Sequence, residues 1–318
     1  MASEELILRY YLKIYSLIIF FLLLFYLFYI LFIREISFKN NYFLIEKNQN
    51  YNQIINQNLL DQNINLSIYK FALRLILLSD IKIHYGKFEI LQNQNFLNLI
   101  LKIIKKSNYY EKITIIEGSS KKDLNIILNN NFNNFEEFDY DEIIADTYLF
   151  SYGSSFNEFK KELKIKFDNL KNKYENNSLL ERFSFSEIII IGSLLEKEGL
   201  DYHDKKNIFS VIINRLNKKM KLQIDASVIF SITKGEYQLN RKLTYNDLKI
   251  DNIYNTYIIN GLPPEPISYV GLKTIELIFE NYKTDYLFYF YNSIENKHIY
   301  SINYKNHLNK LNEYRSKK

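Results

Sequence analysis

Residues 184–199 read Ser-Phe-Ser-Glu-Ile-Ile-Ile-Ile-Gly-Ser-Leu-Leu-Glu-Lys-Glu-Gly, and the rest of the chain is organised around this stretch. Ser184 with Glu187 three residues later has the form of a capping box, in which hydroxyl and carboxylate each satisfy an orphan backbone N–H at a helix start. Gly199 stands where a left-handed C-terminal cap is expected. Ile188, Ile191 and Leu195 recur at helical spacing and mark a buried face. Glycine in a helix interior costs about 1 kcal/mol relative to alanine, so Gly192 points to something approaching closely there. Glu196 lies one turn beyond Gly192 and Ser193, on their edge of the apolar stripe. It is either a solvated side chain of the last turn or a proton donor in a cleft.

The chain of 318 residues, 47% hydrophobic and 24% charged, can hold one or two folded domains. Asn, Ile, Tyr, Phe and Lys are over-used while Gly, Pro and Trp are scarce or absent, a bias that fits AT-rich drift and carries no functional meaning. The net charge of +5 is not gathered into one arm, so nucleic acid is not implied as a partner. The absence of cysteine excludes disulfides, cysteine metal sites and thiol catalysis. His84, His203, His298 and His307 lack metal-ligand spacing, and no metal or other cofactor is expected.

Residues Ile14 to Ile33 form an uncharged apolar run. At about 1.5 Å per residue it spans roughly 30 Å, the thickness of a hydrocarbon core. It is longer than a signal-peptide core and lacks a small-residue cleavage site, so it reads as a transmembrane helix after a tail of residues 1–13. Arg9 and Lys13 precede it and Arg34, Lys39 and Lys47 follow it, so the positive-inside count does not decide orientation.

Residues 41–68 are rich in Asn and Gln and read as a stalk or irregular strands, followed from Phe71 by a short helix. Two strand–turn–helix units follow, the first at Phe88–Leu91 and Phe96–Leu101, the second at Ile113–Ile116 and Leu124–Leu128. In each the hydrophobic period switches from two to 3.6. Residues 129–139 read as a loop, with a possible short strand ending at Phe150. An amphipathic helix spans residues 155–176, its charges a solvated face. After the central helix, Asp204 is expected to cap a helix facing the core through Ile208, Val211, Ile212 and Leu216, with Asn214 and Arg215 on its surface. The polar run Met220–Ser227 includes Gln223 and Asp225, and Tyr254-Asn255-Thr256-Tyr257 comes next. All three prolines lie in the loop Gly261–Ser268, which reads as a rigid wall of the cleft that holds Glu196. A strand, turn, strand and helix close the chain.

In this order the segments resemble the endolytic murein transglycosylases, the MltG or YceG-like family. The resemblance rests on Ser193-Leu194-Leu195-Glu196-Lys197-Glu198, Asn214-Arg215-Leu216, Met220-x-Leu222-Gln223-x-Asp225, Tyr254 to Tyr257 and Gly261 to Ile267, with Glu117-Gly118 and Asp146-Thr147-Tyr148 further back. It covers roughly residues 70–318. Ala226, Ala145 and Ile116 replace prolines of the family pattern and Lys219 replaces a glycine, losses that touch loop rigidity and no polar site residue.

The resemblance implies an α+β fold: the transmembrane helix at 14–33, a LysM-like module with stalk at 34–150, and a mixed α+β catalytic domain at 151–318. It implies a single-pass protein of the cell membrane with its bulk on the periplasmic or extracellular side. The implied partners are nascent peptidoglycan glycan strands and peptidoglycan synthases. The implied reaction cleaves between N-acetylmuramic acid and N-acetylglucosamine to leave 1,6-anhydro ends, with one carboxyl group acting first as acid and then as base. Glu196 takes the position given to the catalytic glutamate, and Asn214, Arg215, Gln223, Asp225, Tyr254 and Asn255 are assigned to the glycan or to orienting Glu196. Glu198 is the weaker choice, because residues two apart on a helix point different ways. A muramidase using Asp225, and a non-catalytic glycan-binding scaffold, are the alternatives.

Overall fold

The computed structural model describes residues 2–60, 66–79, 81–90, 94–105, 107 and 109–317, with residues 2–8 as backbone only. Residues 61–65 of the expected stalk and Leu91 of the first expected strand lie outside the described residues. The fold is mixed α+β. It divides into two compact units, Met1–Glu111 with Phe150–Ser154 and Lys112–Leu149 with Ser155–Lys318.

The first unit opens with helix α1 (Ala2–Phe28), which continues into a π-helical turn at Tyr29–Ile33. Strand β1 (Tyr42–Ile45), helices α2 (Tyr51–Asn58) and α3 (Leu66–Leu77), strand β2 (Gly86–Glu89) and helix α4 (Phe96–Ile103) follow. β1 and β2 pair antiparallel, with Phe43 opposite Phe88. Both phenylalanines are buried with Ile55, Leu59, Tyr69 and Leu99. Among the described residues one helix, Arg9–Ile33, is long and apolar enough to cross a membrane, and its large side chains are exposed from Tyr10 to Tyr29. Its last turn has a second role, since Ile30 is fully buried in the core of this unit and Asn95 Nδ2 donates to Phe32 O at 2.6 Å.

The expected stalk contains regular structure in place of irregular chain. Asn50 and Gln53 form a capping box that starts α2, the role that serine and glutamate take elsewhere. Asn58 is 1% exposed and clasps β1, accepting from Leu44 N at 2.6 Å and donating to Leu44 O at 2.7 Å. A buried amide saturated in this way stabilises what an Asn-rich composition conceals.

Strand β3 (Tyr110–Thr114), helix α5 (Lys121–Asn131) and strand β4 (Thr147–Ser151) come next, and β3 pairs with β4. Residues 112–149, expected within the anterior module, pack with the C-terminal unit. Backbone pairing accounts for this: Gly118 N donates to Tyr269 O and Ala145 N to Val270 O, both at 2.8 Å, and Tyr269 N returns a bond to Ser119 O. The two strand–turn–helix motifs therefore divide between units, β2–α4 in the first and α5 in the second.

Helices α6 (Phe156–Lys173), α7 (Phe185–Glu198), α8 (Tyr202–Asn217), α9 (Asp225–Thr233) and α10 (Leu272–Phe279) build the second core, and the hairpin β5 (Phe288–Asn292) and β6 (Lys297–Ser301) with helix α11 (Tyr304–Lys317) completes the unit. Ser120, Ser155 and Ser184 each start their helices with a full capping box. α7 packs against α8, α9 and α10. Every residue from Ile188 to Leu195 is buried, so α7 is a central helix enclosed on all sides, where the sequence predicts a single buried stripe. Gly192 is the point of closest approach: a Cβ there would lie 2.6 Å from Val270 Cγ1.

Two caps differ from expectation. Gly199 has φ of −79° and an extended backbone, so glycine is not needed for a left-handed cap; it is needed because a Cβ would collide with Lys205 Cγ. α8 is capped by Asp201, whose side chain accepts from Asp204 N at 2.8 Å. That leaves the Asp204 carboxylate free for other partners.

Candidate active site

α7 delivers two glutamates from its last turn, and they go in different directions. The Glu196 side chain is 2% exposed and its Oε2 lies 2.5 Å from Lys205 Nζ. Its Oε1 accepts from Gly271 N at 2.9 Å. Lys205 also donates to Thr274 Oγ1 at 3.0 Å. The expected acid is thus enclosed by cationic and amide donors from α8 and the start of α10.

Glu198 faces α9 and the β5–β6 hairpin. Its Oε1 accepts weakly from Ala226 N at 3.4 Å and its Oε2 from Tyr289 OH at 3.2 Å. Burial pushes its carboxyl pKa up and the nearby Asp225 charge pushes it further; the Ala226 N–H, the Tyr289 hydroxyl and His298 pull it partly back. A carboxyl group raised in this way keeps its proton to higher pH than an ordinary glutamate, the property a general acid uses.

Residues 223–227 are fixed to residues 254–257. Gln223 N donates to Thr256 O at 3.1 Å, Ile224 N to Thr256 Oγ1 at 2.9 Å and Thr256 N to Ser227 Oγ at 3.2 Å. Gln223 and Asp225 are both exposed, with Gln223 in a left-handed conformation at φ +51°. Tyr257 OH donates to Asp225 Oδ1 at 2.6 Å, which orients that carboxylate beside Glu198. Burial, and then the hydrogen bond to Asp225, push the Tyr257 pKa upward, so the phenol remains a donor.

The other expected site residues serve as supports. Asn255 is fully buried; it donates to Leu248 O and Ile250 O and accepts from Tyr257 N. Tyr254 donates to Glu265 Oε2 at 2.7 Å and packs on Phe230. Asn214 donates to Thr284 O and Tyr286 O. Arg215, 6% exposed where a surface position was expected, donates to Leu287 O, Leu222 O and Lys221 O. Both side chains therefore hold the approach to β5, and with it Tyr289.

The proline-bearing loop packs along α7, where Ile267 N donates to Ser193 Oγ at 3.0 Å. Ile267 also lines, with Lys197, Ala226, Phe230 and Tyr237, an open groove of about 520 Å³. Ile267 of the loop and Lys197 of α7's last turn share that groove, while the Glu196 carboxylate points to Lys205. Sequence reasoning did not single out Tyr257 and Tyr289, and it set Glu198 aside as the weaker choice. Tyr257 was within reach, being part of the Tyr254–Tyr257 run, whereas Tyr289 sits on a hairpin strand with no motif around it.

A carboxyl group whose pKa burial raises, beside an exposed aspartate and two phenols, is a set of groups that acid catalysis can use, here on a mixed α+β fold with, among the described residues, one N-terminal apolar helix. The sequence model of the YceG-like family matches residues 43–313. The chain belongs to the YceG-like family. A Bacillus subtilis (strain 168) protein named endolytic murein transglycosylase is 36% identical over 116 residues, covering 36% of this chain and 31% of that protein. The protein of the same name from Streptococcus pneumoniae serotype 2 is 29% identical over 164 residues, covering 51% and 29%. The chain thus spans about a third of the length of these relatives. A crystal structure of a yceG-like protein from Listeria monocytogenes shares the fold, with a TM-score of 0.54 at 24% identity, covering 85% of this chain and 98% of that one.

Proposed function

We propose that the chain is a membrane-anchored endolytic lytic transglycosylase that cuts nascent peptidoglycan strands between N-acetylmuramic acid and N-acetylglucosamine, and that Glu198, not Glu196, is its acid. The observation that carries the reading is the contrast between the two carboxyl groups: Glu196 is ion-paired with Lys205, while burial and Asp225 push Glu198 upward. The names of the relatives supply the substrate and bond class.

Glu198 protonates the oxygen between the two sugars as the glycosidic bond breaks. The resulting carboxylate takes the proton of the muramic acid 6-hydroxyl as that oxygen attacks the anomeric carbon and closes the 1,6-anhydro ring. A tethered nucleophile removes the need to position a water. Exposed Gln223 and Asp225 contact the glycan; Asn214, Arg215, Tyr254 and Asn255 hold the segments that carry Asp225, Tyr257 and Tyr289.

The residue 1–13 tail lies on the cytoplasmic side, the apolar helix spans the membrane, and the chain that follows the helix lies outside. The first unit carries the LysM-like, glycan-binding part of residues 34–150, and residues 112–149 join the catalytic domain of 151–318. Peptidoglycan synthases supply the strand. An exposed second carboxylate, Asp225, beside Glu198 favours one further reading, a muramidase in which Asp225 positions water. Mass spectrometry of products from uncrosslinked glycan strands in labelled water distinguishes them. A 1,6-anhydro end without label supports the lyase; an ordinary reducing end carrying labelled oxygen overturns it.

A further inference from the structure

Behind Glu198 lies a polar array that the proposed reaction does not itself use. His298, on β6, has a side chain only 6% exposed, and its Nδ1 lies 2.8 Å from Asp204 Oδ2, itself 10% exposed. Asp204 is heavily committed: Oδ1 accepts from Tyr300 OH at 2.5 Å and Oδ2 from Leu200 N at 2.9 Å. Burial alone would raise the Asp204 pKa, but the bonds from His298, Tyr300 and Leu200 outweigh it and hold the group below the usual carboxylate range. An ionised Asp204 fixes the proton of His298 on Nδ1 and fixes the plane of the ring. The ring meets Tyr289 edge to face, with centroids 5.3 Å apart and an interplanar angle of 89°. Tyr289 OH in turn donates to Glu198 Oε2.

We propose that Asp204, His298 and Tyr289 form a positioning array in which the carboxylate fixes the imidazole, the imidazole fixes the phenol ring, and the phenol holds the Glu198 carboxyl group in place. The inference rests on the reading of Glu198 as the acid. None of the three is a catalytic residue.

The groups around the array decide the signs. Glu198 is faced by Asp225 on α9, by Tyr257, by Tyr289 on β5 and by His298 on β6. Arg215 on α8 acts on Tyr289 and Tyr257. His298 is also faced by Tyr291 and Tyr300. Tyr289 and His298 both favour the ionised Glu198, whereas Asp225 opposes it. For a general acid, the basic limb of the pH–rate profile reports deprotonation. Removing Tyr289 OH or the His298 ring therefore moves that limb up, and removing the Asp225 charge moves it down.

The test uses detergent-solubilised full chain acting on uncrosslinked glycan strands, with pH profiles for wild type, Tyr289→Phe, His298→Gln and Asp225→Asn. Tyr289→Phe deletes one oxygen and leaves the packing, so it carries the test if His298→Gln does not fold. The loss of one hydrogen bond to the acid should shift the basic limb up by about one pH unit. His298→Gln should shift it the same way, with lower kcat and little change in KM, and Asp225→Asn the opposite way. A Tyr289→Phe limb coincident with wild type, or a downward shift, overturns the array. Glu198→Gln at wild-type activity would instead overturn the reading on which it rests, so the two failures are distinguishable.

Discussion

Glu196→Gln separates a structural role for this glutamate from a chemical one. The substitution removes a charge from a side chain 2% exposed and leaves the Lys205 ammonium, 14% exposed, without its counter-ion. Breaking a fully buried pair costs about 3–5 kcal/mol. Two features reduce that here: Lys205 keeps its bond to Thr274 Oγ1, and the glutamine oxygen still accepts from Gly271 N. A loss of about 2–3 kcal/mol is expected, a fall in Tm of about 4–12 °C for a unit of this size. Thermal unfolding of the detergent-solubilised full chain, followed by circular dichroism, measures it. The double variant Glu196→Gln with Lys205→Met should recover at least half of the loss, because it removes the stranded charge. A Tm within about 1 °C of wild type, together with a hundredfold loss of activity, would refute the reasoning and return Glu196 to the chemistry.

Gly192→Ala gains helix propensity of about 1 kcal/mol but drives a methyl into Val270, so a net loss of about 1–2 kcal/mol in denaturant titration is expected; a stabilised variant would show that Val270 yields freely. Lys219 has φ of +54°, so Lys219→Gly should relieve left-handed strain and raise stability by about 0.5–1 kcal/mol, read as a higher denaturation midpoint. Because the folded-state pKa of Glu198 lies above the unfolded value of 4.5, the native state holds a proton that the unfolded state has lost. Stability therefore falls as pH rises from the ordinary glutamate range through the raised value. Glu198→Gln removes that penalty, so its Tm should exceed that of wild type at about pH 7 and the gap should close near pH 4; a gap independent of pH would contradict the assignment.

The elements near α7 were legible because their signals are local. Ser184 with Glu187 starts the helix as the capping box predicts, and Gly192 marks the approach of Val270. The α2 helix was missed because its capping box uses Asn50 and Gln53, residues that a composition bias makes easy to dismiss. That Glu196 and Glu198 point apart follows from helix geometry alone. Which of them meets Tyr289 does not, because Tyr289 lies 91 residues from Glu198 in sequence and His298 reaches the same place only through the β5–β6 pairing. The resemblance assigns Asn214 and Arg215 to the glycan or to orienting Glu196. Their partners are backbone carbonyls of a distant segment, which no sequence pattern reports. Lys219 holds a left-handed backbone at φ +54° without the glycine that this conformation favours.

The central claim, that Glu198 carries the acid chemistry, is tested most directly by the initial rate of strand cleavage by Glu198→Gln beside Glu196→Gln, each measured below its own Tm on the same uncrosslinked glycan strands. Loss of the general acid should lower the rate by about 10²–10⁴-fold in Glu198→Gln, while Glu196→Gln retains activity within about tenfold of wild type once folded. The reverse order, with Glu198→Gln active and folded Glu196→Gln inactive, would contradict the account.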